Sequence, residues 1–75
     1  MDREIFEDTL RRFIRHKPFF PFVVELITGE KILVEEPSVA FSDGFAGYFS
    51  PSYAITEFAC DQVKDIRAAK PESAQ

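Results

Sequence analysis

The stretch that most constrains this chain is residues 21–37, an alternating apolar run that begins and ends with proline. Apolar and polar residues alternate on both sides of Gly29, which is the pattern of two half-buried β-strands joined by a turn. A two-residue turn would mix the two faces, whereas a three-residue loop over 28–30 places Leu26 opposite Ile32. The pattern therefore predicts a β-hairpin with a three-residue loop, in which Gly29 adopts a positive φ.

The two faces of this hairpin differ in composition. One face is apolar and consists of Phe22, Val24, Leu26, Ile32 and Val34. The other face carries Val23, Ile27 and Leu33 among charged residues. A half-apolar outer face is typical of a sheet that is covered by a second layer or by a neighbouring subunit. We therefore expect Val23, Ile27 and Leu33 to lie at an interface.

A charged amphipathic helix is predicted before the hairpin, over residues 2–16. Apolar side chains recur there at helical spacing and form one stripe, made of Ile5, Phe6, Leu10, Phe13 and Ile14. Asp2 is suited to cap the first turn of the helix. Pro18 ends the helix because a proline excludes the preceding residue from the α region. Residues 18–21, Pro-Phe-Phe-Pro, then form a stiff elbow that leads into the hairpin.

Basic residues gather at the C-terminal end of this helix, namely Arg11, Arg12, Arg15, His16 and Lys17. They can balance the helix dipole and the acidic residues Glu7 and Asp8. They are also the surface group best suited to contact an acidic partner or RNA. The net charge of −4 disfavours RNA, and three or four phosphate contacts alone give weak, salt-sensitive binding. RNA is therefore the alternative to a protein partner.

Shorter strands are predicted after the hairpin. Asp43 and Gly44 separate two apolar runs, and this dipeptide is a strong signal for a two-residue hairpin turn. Gly47 lies inside the second run, where a glycine indicates a bulge, a sharp bend or the close approach of another backbone. The predicted strands of the whole chain cover residues 22–28, 31–36, 38–42, 45–49, 54–60 and 63–67.

The predicted fold class is α+β. An N-terminal helix precedes a strongly bent, about five-stranded antiparallel sheet or a small barrel of the SH3 or Sm-like type. A chain of 75 residues has room for one domain, which we place at residues 1–67. The small and polar residues of 68–75 predict a flexible tail.

The aromatic content predicts self-association. The chain holds nine Phe and two Tyr, and each buried ring covers about 150–250 Å². A chain this short has a small core, so part of this apolar area is expected at the surface. We therefore expect a homo-oligomer or a complex with another protein, with Tyr48 and Tyr53 among the interface residues.

Several classes of function are not expected from the composition. A single cysteine, Cys60, and a single histidine supply neither a disulfide framework nor a spaced set of metal ligands, which fits a reducing cytoplasm without metal or cofactor. No apolar run approaches the roughly 20 residues that cross a membrane. Glu35 and Glu36 are adjacent on a strand, so their carboxylates point to opposite faces and do not form an acid–base pair. The chain is therefore not expected to be an enzyme.

The order of these segments resembles that of a group of short bacterial proteins of unassigned function. Those proteins have an N-terminal helix, a Pro-Phe-x-Pro-Phe elbow, an apolar strand, a glycine turn and a final Val-x-x-Ile. Here these pieces are residues 7–15, 18–22, 23–27, Gly29 and 63–66.

The layout also resembles the Sm-like barrels, the family that includes bacterial Hfq. The points of likeness are Leu-Arg-Arg at 10–12, the strand and glycine turn at 23–29, and the last strand at 63–66. The resemblance implies RNA binding at a rim of arginines, here Arg11 and Arg12. The Tyr-Lys-His-type motif that Hfq-type barrels use for uridine-rich RNA is absent, since residues 58–62 read Phe-Ala-Cys-Asp-Gln. Loss of the basic, stacking site disfavours that RNA.

Overall fold

The structure, a computed structural model, describes residues 1–69. One α-helix precedes six antiparallel strands that form two three-stranded sheets, β2–β1–β6 and β3–β4–β5. The elements are α1 Arg3–Arg15, β1 Phe22–Leu26, β2 Lys31–Val34, β3 Val39–Ser42, β4 Phe45–Phe49, β5 Ile55–Ala59, a 3₁₀ turn Cys60–Gln62 and β6 Val63–Ala68. The predicted α+β class is confirmed, and the strands form two sheets that do not close into a barrel.

Helix α1 forms where the apolar stripe and the cap predict it. The Asp2 carboxylate accepts hydrogen bonds from the backbone N–H groups of Glu4 and Ile5, at 3.0 and 3.3 Å. Phe6 and Leu10 are fully buried on the inner face of the helix. Ile5, however, is 58% exposed and does not join the core, because it lies at the edge of the stripe.

The first hairpin has the predicted faces but a different register. Its three-residue loop lies over 27–29 rather than 28–30, and the N–H of Leu26 donates to the carbonyl of Glu30 at 2.8 Å. Val24 therefore pairs with Ile32, two positions away from the predicted register. A shift of two residues keeps every side chain on its face because the strand period is two. Gly29 has the predicted positive φ of 95°.

The second hairpin has the two-residue turn that Asp43 and Gly44 predict. Ser42 pairs directly with Phe45, and both turn residues have positive φ, at 53° and 82°. These angles match the type I′ turn, whose twist fits that of the flanking strands. Gly47 pairs in unbroken register with both neighbouring strands, so it marks no bulge.

A single core lies between the two sheets and α1. It contains Phe6, Leu10, Phe22, Val24, Ile32, Val34, Ala46, Tyr48, Phe58, Val63 and Ile66. The ring of Phe13 stacks on Phe22 at 4.8 Å between centroids, and Phe6 meets Phe58 edge to face at 6.0 Å. Such aromatic pairs add to the stabilisation that burial provides.

The C-terminal part of the fold extends slightly further than predicted. Strand β6 includes Ala68, and the N–H of Ala69 donates to the carbonyl of Pro21 at 3.1 Å. These two residues were assigned to the tail; the remainder of that predicted tail, 70–75, lies outside the described residues. Within residues 1–69, no helix is long and apolar enough to cross a membrane.

Candidate interaction site

A concave surface lies between α1 and β6, and we call it the α1–β6 groove. It has a volume of about 850 Å³. Its lining comprises Met1, Ile5, Thr9, Phe13, Phe20, Pro21, Ile66 and Ala68, with Arg12, His16 and Asp65 as charged or titratable members. Most of these side chains are apolar, as is typical of surfaces that bind a ligand or a partner. Ile5 and Phe20 are more than half exposed, so the groove is not covered within the described chain.

Strand β6 is an edge strand beside this groove. The bond from Ala69 N–H to the Pro21 carbonyl identifies this pair as hydrogen-bonded in the β1–β6 ladder. Bonded and non-bonded pairs alternate in an antiparallel ladder. The backbone groups of Ile66 and Ala68 therefore point away from β1, towards the open edge. Both residues line the groove, so N–H and C=O groups without a partner in residues 1–69 adjoin its apolar floor.

Basic residues form one rim of the groove. Arg12 lies 3.6 Å from Asp8 in an exposed i,i+4 ion pair. His16 is held in place because its Nδ1–H donates to the carbonyl of Pro18 at 2.9 Å, while its ring lies 5.4 Å from that of Phe20. The imidazole Nε2 is therefore the ring nitrogen that remains available to a partner.

The residues of the predicted basic cluster lie on more than one part of the surface. Only Arg12 and His16 line the α1–β6 groove. Arg11 lies 3.7 Å from Asp8 and 5.6 Å from the ring centroid of Phe41, on another side of the helix. Arg15 and Lys17 are exposed near the end of α1.

The predicted interface residues of the first sheet lie on its outer face or at its loop. Val23 is half-buried, Leu33 is exposed, and Ile27 is 67% exposed in the hairpin loop. An ion-pair cluster occupies the same face, because the Arg67 guanidinium lies 2.8 Å from Glu25. It also lies 3.0 Å from Asp65. The hydrogen bond from Arg67 lowers the pKa of Glu25, since it stabilises the carboxylate. This face is therefore partly covered by its own charged side chains.

The two tyrosines assigned to an interface have opposite environments. Tyr48 is 3% exposed and belongs to the core, where its hydroxyl accepts a hydrogen bond from the N–H of Glu35 at 3.0 Å. Its assignment to a surface is therefore corrected, because even-numbered residues of β4 point inward. Tyr53 is 95% exposed in the β4–β5 loop, with a positive φ of 66°.

The outer face of the second sheet is an apolar surface that the sequence did not single out. Phe45, Phe49 and Ile55 are all exposed on it. Phe49 and Ile55 are direct cross-strand partners. The Asp-Gly turn fixes which residues of β4 share a face, but both faces contain an aromatic residue. The apolar pattern of the sequence therefore did not show which face of β4 is the outer face.

Potential metal ligands do not cluster in the part of the chain that the structure describes. No three potential ligands among His, Cys, Asp and Glu are grouped there around a metal position. Cys60 is half-buried and packs against the core. Comparisons with protein-family models, with curated proteins and with solved structures found no match for this chain. The likeness to Sm-like barrels therefore rests on the sequence features alone.

Proposed function

We propose that this chain is a non-enzymatic interaction module that self-associates through the edge of β6 and the α1–β6 groove. The observation that carries the proposal is the position of β6. This edge strand directs the free backbone groups of Ile66 and Ala68 beside an apolar groove. A fourth strand added there would satisfy those groups and cover Ile5 and Phe20, in the manner of β-augmentation.

The chain itself carries a strand of suitable length. Along α1, the groove runs from Ile5 to His16, which is roughly 17 Å at ~1.5 Å per residue. Strand β5 has five residues, or roughly 17 Å at ~3.3 Å per residue, and it is also an edge strand. The hydrogen bond from Ser50 N–H to the Ala54 carbonyl identifies these two residues as a hydrogen-bonded pair of the β4–β5 ladder. By alternation, the backbone groups of Ile55, Glu57 and Ala59 point to the open edge, where the Ala59 N–H already donates to Oε1 of Gln62 at 2.9 Å.

Pairing of β5 on one copy with β6 on another uses two different surfaces of the chain. Such a contact is heterologous, and it produces a ring or an open filament according to the rotation between neighbours. Each copy in the interior of such an assembly has its β5 and β6 edges paired. One contact thus pairs two of the four edge strands, β5 and β6, while β2 and β3 are the other two edges.

Paired charge substitutions test this assignment. Ile5→Asp places a charge in the groove, and Leu33→Asp places one on the outer face of the first sheet. Both positions are exposed, so both variants are expected to keep the far-UV circular dichroism of the parent. Light scattering should show that Ile5→Asp lowers the mass to that of one 8.6 kDa chain while Leu33→Asp retains the parent mass. The reverse pattern would move the interface to Val23, Ile27 and Leu33, and a monomeric parent would reject self-association.

RNA binding at the end of α1 is the second candidate. It is supported by Arg15 and Lys17, which are exposed and take part in no ion pair within residues 1–69. Retention of RNA at low salt that is lost in an Arg15→Glu, Lys17→Glu double variant would support it. Unchanged retention would reject it.

A further inference from the structure

The outer face of the β3–β4–β5 sheet carries a single charged side chain in an apolar setting. Alternation along the strands places Ala40, Ser42, Phe45, Gly47, Phe49, Ile55, Glu57 and Ala59 on this face. Glu57 is its one charged member, and it pairs in register with Gly47 on the central strand. No ion pair engages Glu57 within residues 1–69. A charge thus lies among apolar residues without a cationic partner in the described chain.

A trough crosses this face at Gly47. It has a volume of about 370 Å³ and includes Phe45, Gly47 and Glu57 in its lining. Phe45 and Phe49 flank Gly47 along β4, and their Cα atoms are roughly 13 Å apart at ~3.3 Å per residue. The stem of Glu57 borders the trough, since a Cβ added to Gly47 would lie 4.0 Å from its Cγ. The floor is open because Gly47 has no side chain.

The backbone does not require a glycine at this position. The φ of Gly47 lies outside the left-handed region, and an added Cβ would make only an ordinary van der Waals contact. A glycine inside a strand destabilises that strand relative to alanine. Such a glycine often marks the close approach of a ligand or another backbone. Gly47 therefore points to an occupant of the trough.

Charge determines the nature of that occupant. A twofold contact centred on this trough would place the Glu57 carboxylates of both copies in one apolar interface without a counter-charge from this face, which is unfavourable. Binding of a cation is favourable instead, because a cation can pair with the carboxylate and contact the faces of aromatic rings. We propose that the trough binds an arginine or lysine side chain of a partner peptide, with its cationic head at Glu57 and its stem along Phe45.

This site lies on the face of the second sheet, whereas the proposed self-association uses the edge of β5 and the α1–β6 groove. Either proposal can therefore fail without the other. If the Ile5→Asp variant is monomeric, a titration of this variant with a cationic peptide tests the outer face of the β3–β4–β5 sheet without self-association.

The test is an NMR titration with two synthetic peptides, acetyl-Ala-Leu-Arg-Leu-Ala-amide and the same peptide with citrulline in place of arginine. The arginine peptide should shift the amide signals of Gly47 and Glu57 saturably. The citrulline peptide should bind with roughly fivefold lower affinity than the arginine peptide. The Glu57→Gln substitution should lower the affinity for the arginine peptide by a similar factor. Equal binding of both peptides, an unchanged affinity in Glu57→Gln, or no saturable shift would overturn the proposal.

Gly47→Ala separates binding from folding. Because alanine fits the strand, this variant should unfold at the same or a higher urea concentration than the parent. The added methyl group should nevertheless narrow the trough and lower the affinity for the arginine peptide. Unchanged affinity in a stable Gly47→Ala variant would show that the space at Gly47 is not used.

Discussion

The Glu7 carboxylate accepts a hydrogen bond from the backbone N–H of Gly44 at 2.7 Å, across 37 positions of sequence. This bond joins the middle of α1 to the turn between β3 and β4. Gly44 is buried, so its N–H has little access to water as an alternative partner. The helix is thereby fixed to the second sheet by a polar contact as well as by its apolar face.

Removal of this acceptor should destabilise the fold. Glu7→Ala leaves the N–H of Gly44 without its carboxylate partner, at an expected cost of about 1–3 kcal/mol in the free energy of unfolding. Urea denaturation measures the loss. Glu36→Ala, at an exposed loop position, is the matched control and should change that free energy by less than about 0.5 kcal/mol. Equal effects of the two variants would contradict the role assigned to Glu7.

Two turn glycines offer a second comparison, because both have positive φ but different surroundings. A Cβ at Gly44 would lie 3.2 Å from Sγ of Cys60 and 3.3 Å from the Arg3 side chain, whereas one at Gly29 would meet nothing within 4 Å. Gly29→Ala should therefore cost about 1 kcal/mol from backbone strain alone. Gly44→Ala should cost more, by roughly 1 kcal/mol, because crowding is added. Thermal unfolding of both variants would show the order, and the reverse order is incompatible with this geometry.

The ion pair between Glu25 and Arg67 predicts a dependence of stability on pH. The hydrogen bond from Arg67 lowers the pKa of Glu25 below its ordinary value of 4.5. Folding therefore favours the ionised carboxylate, and this contribution is fully present above about pH 4.5 and is lost as pH falls through the lowered pKa. Urea denaturation of the parent and of Arg67→Gln should show a stability difference near neutral pH that shrinks in acid. A difference independent of pH would exclude this linkage.

A substitution at Tyr48 tests whether its side chain lies in the core and accepts a hydrogen bond there. Tyr48→Phe retains the ring but removes the hydroxyl that accepts from Glu35 N–H, so it should cost about 0.5–1.5 kcal/mol in unfolding free energy. Tyr53→Phe removes a hydroxyl from an exposed ring and should have almost no effect. If Tyr53→Phe were the more damaging of the two, Tyr48 would not occupy the position described.

Local chemistry made parts of this fold predictable from sequence. Asp43 and Gly44 specify their own turn, because few residues accept two successive positive φ angles. The faces of the first hairpin follow from alternation alone. Its register does not, since loops over 27–29 and 28–30 give the same faces, and the apolar pattern cannot distinguish pairings that differ by two residues.

The candidate surfaces depend on tertiary arrangement, and the sequence did not locate them. The α1–β6 groove combines Ile5, Phe20 and Ile66, which lie on a helix, an elbow and a strand. Ile5 fits the apolar stripe of α1, and periodicity does not show whether such a position faces the core or the groove. In β4, Phe45 and Phe49 point outward while Tyr48 points inward, and composition does not decide between these faces.

The central claim is that a second copy of the chain pairs with the open edge of β6. Amide hydrogen exchange at Ile66 and Ala68 tests it most directly, because their N–H groups point away from β1 and have no bonded partner within residues 1–69. If a second copy pairs with β6, exchange at both amides slows as protein concentration rises, while the exposed loop amide of Thr28 keeps its rate. Rapid exchange at Ile66 and Ala68 at every concentration would contradict the claim.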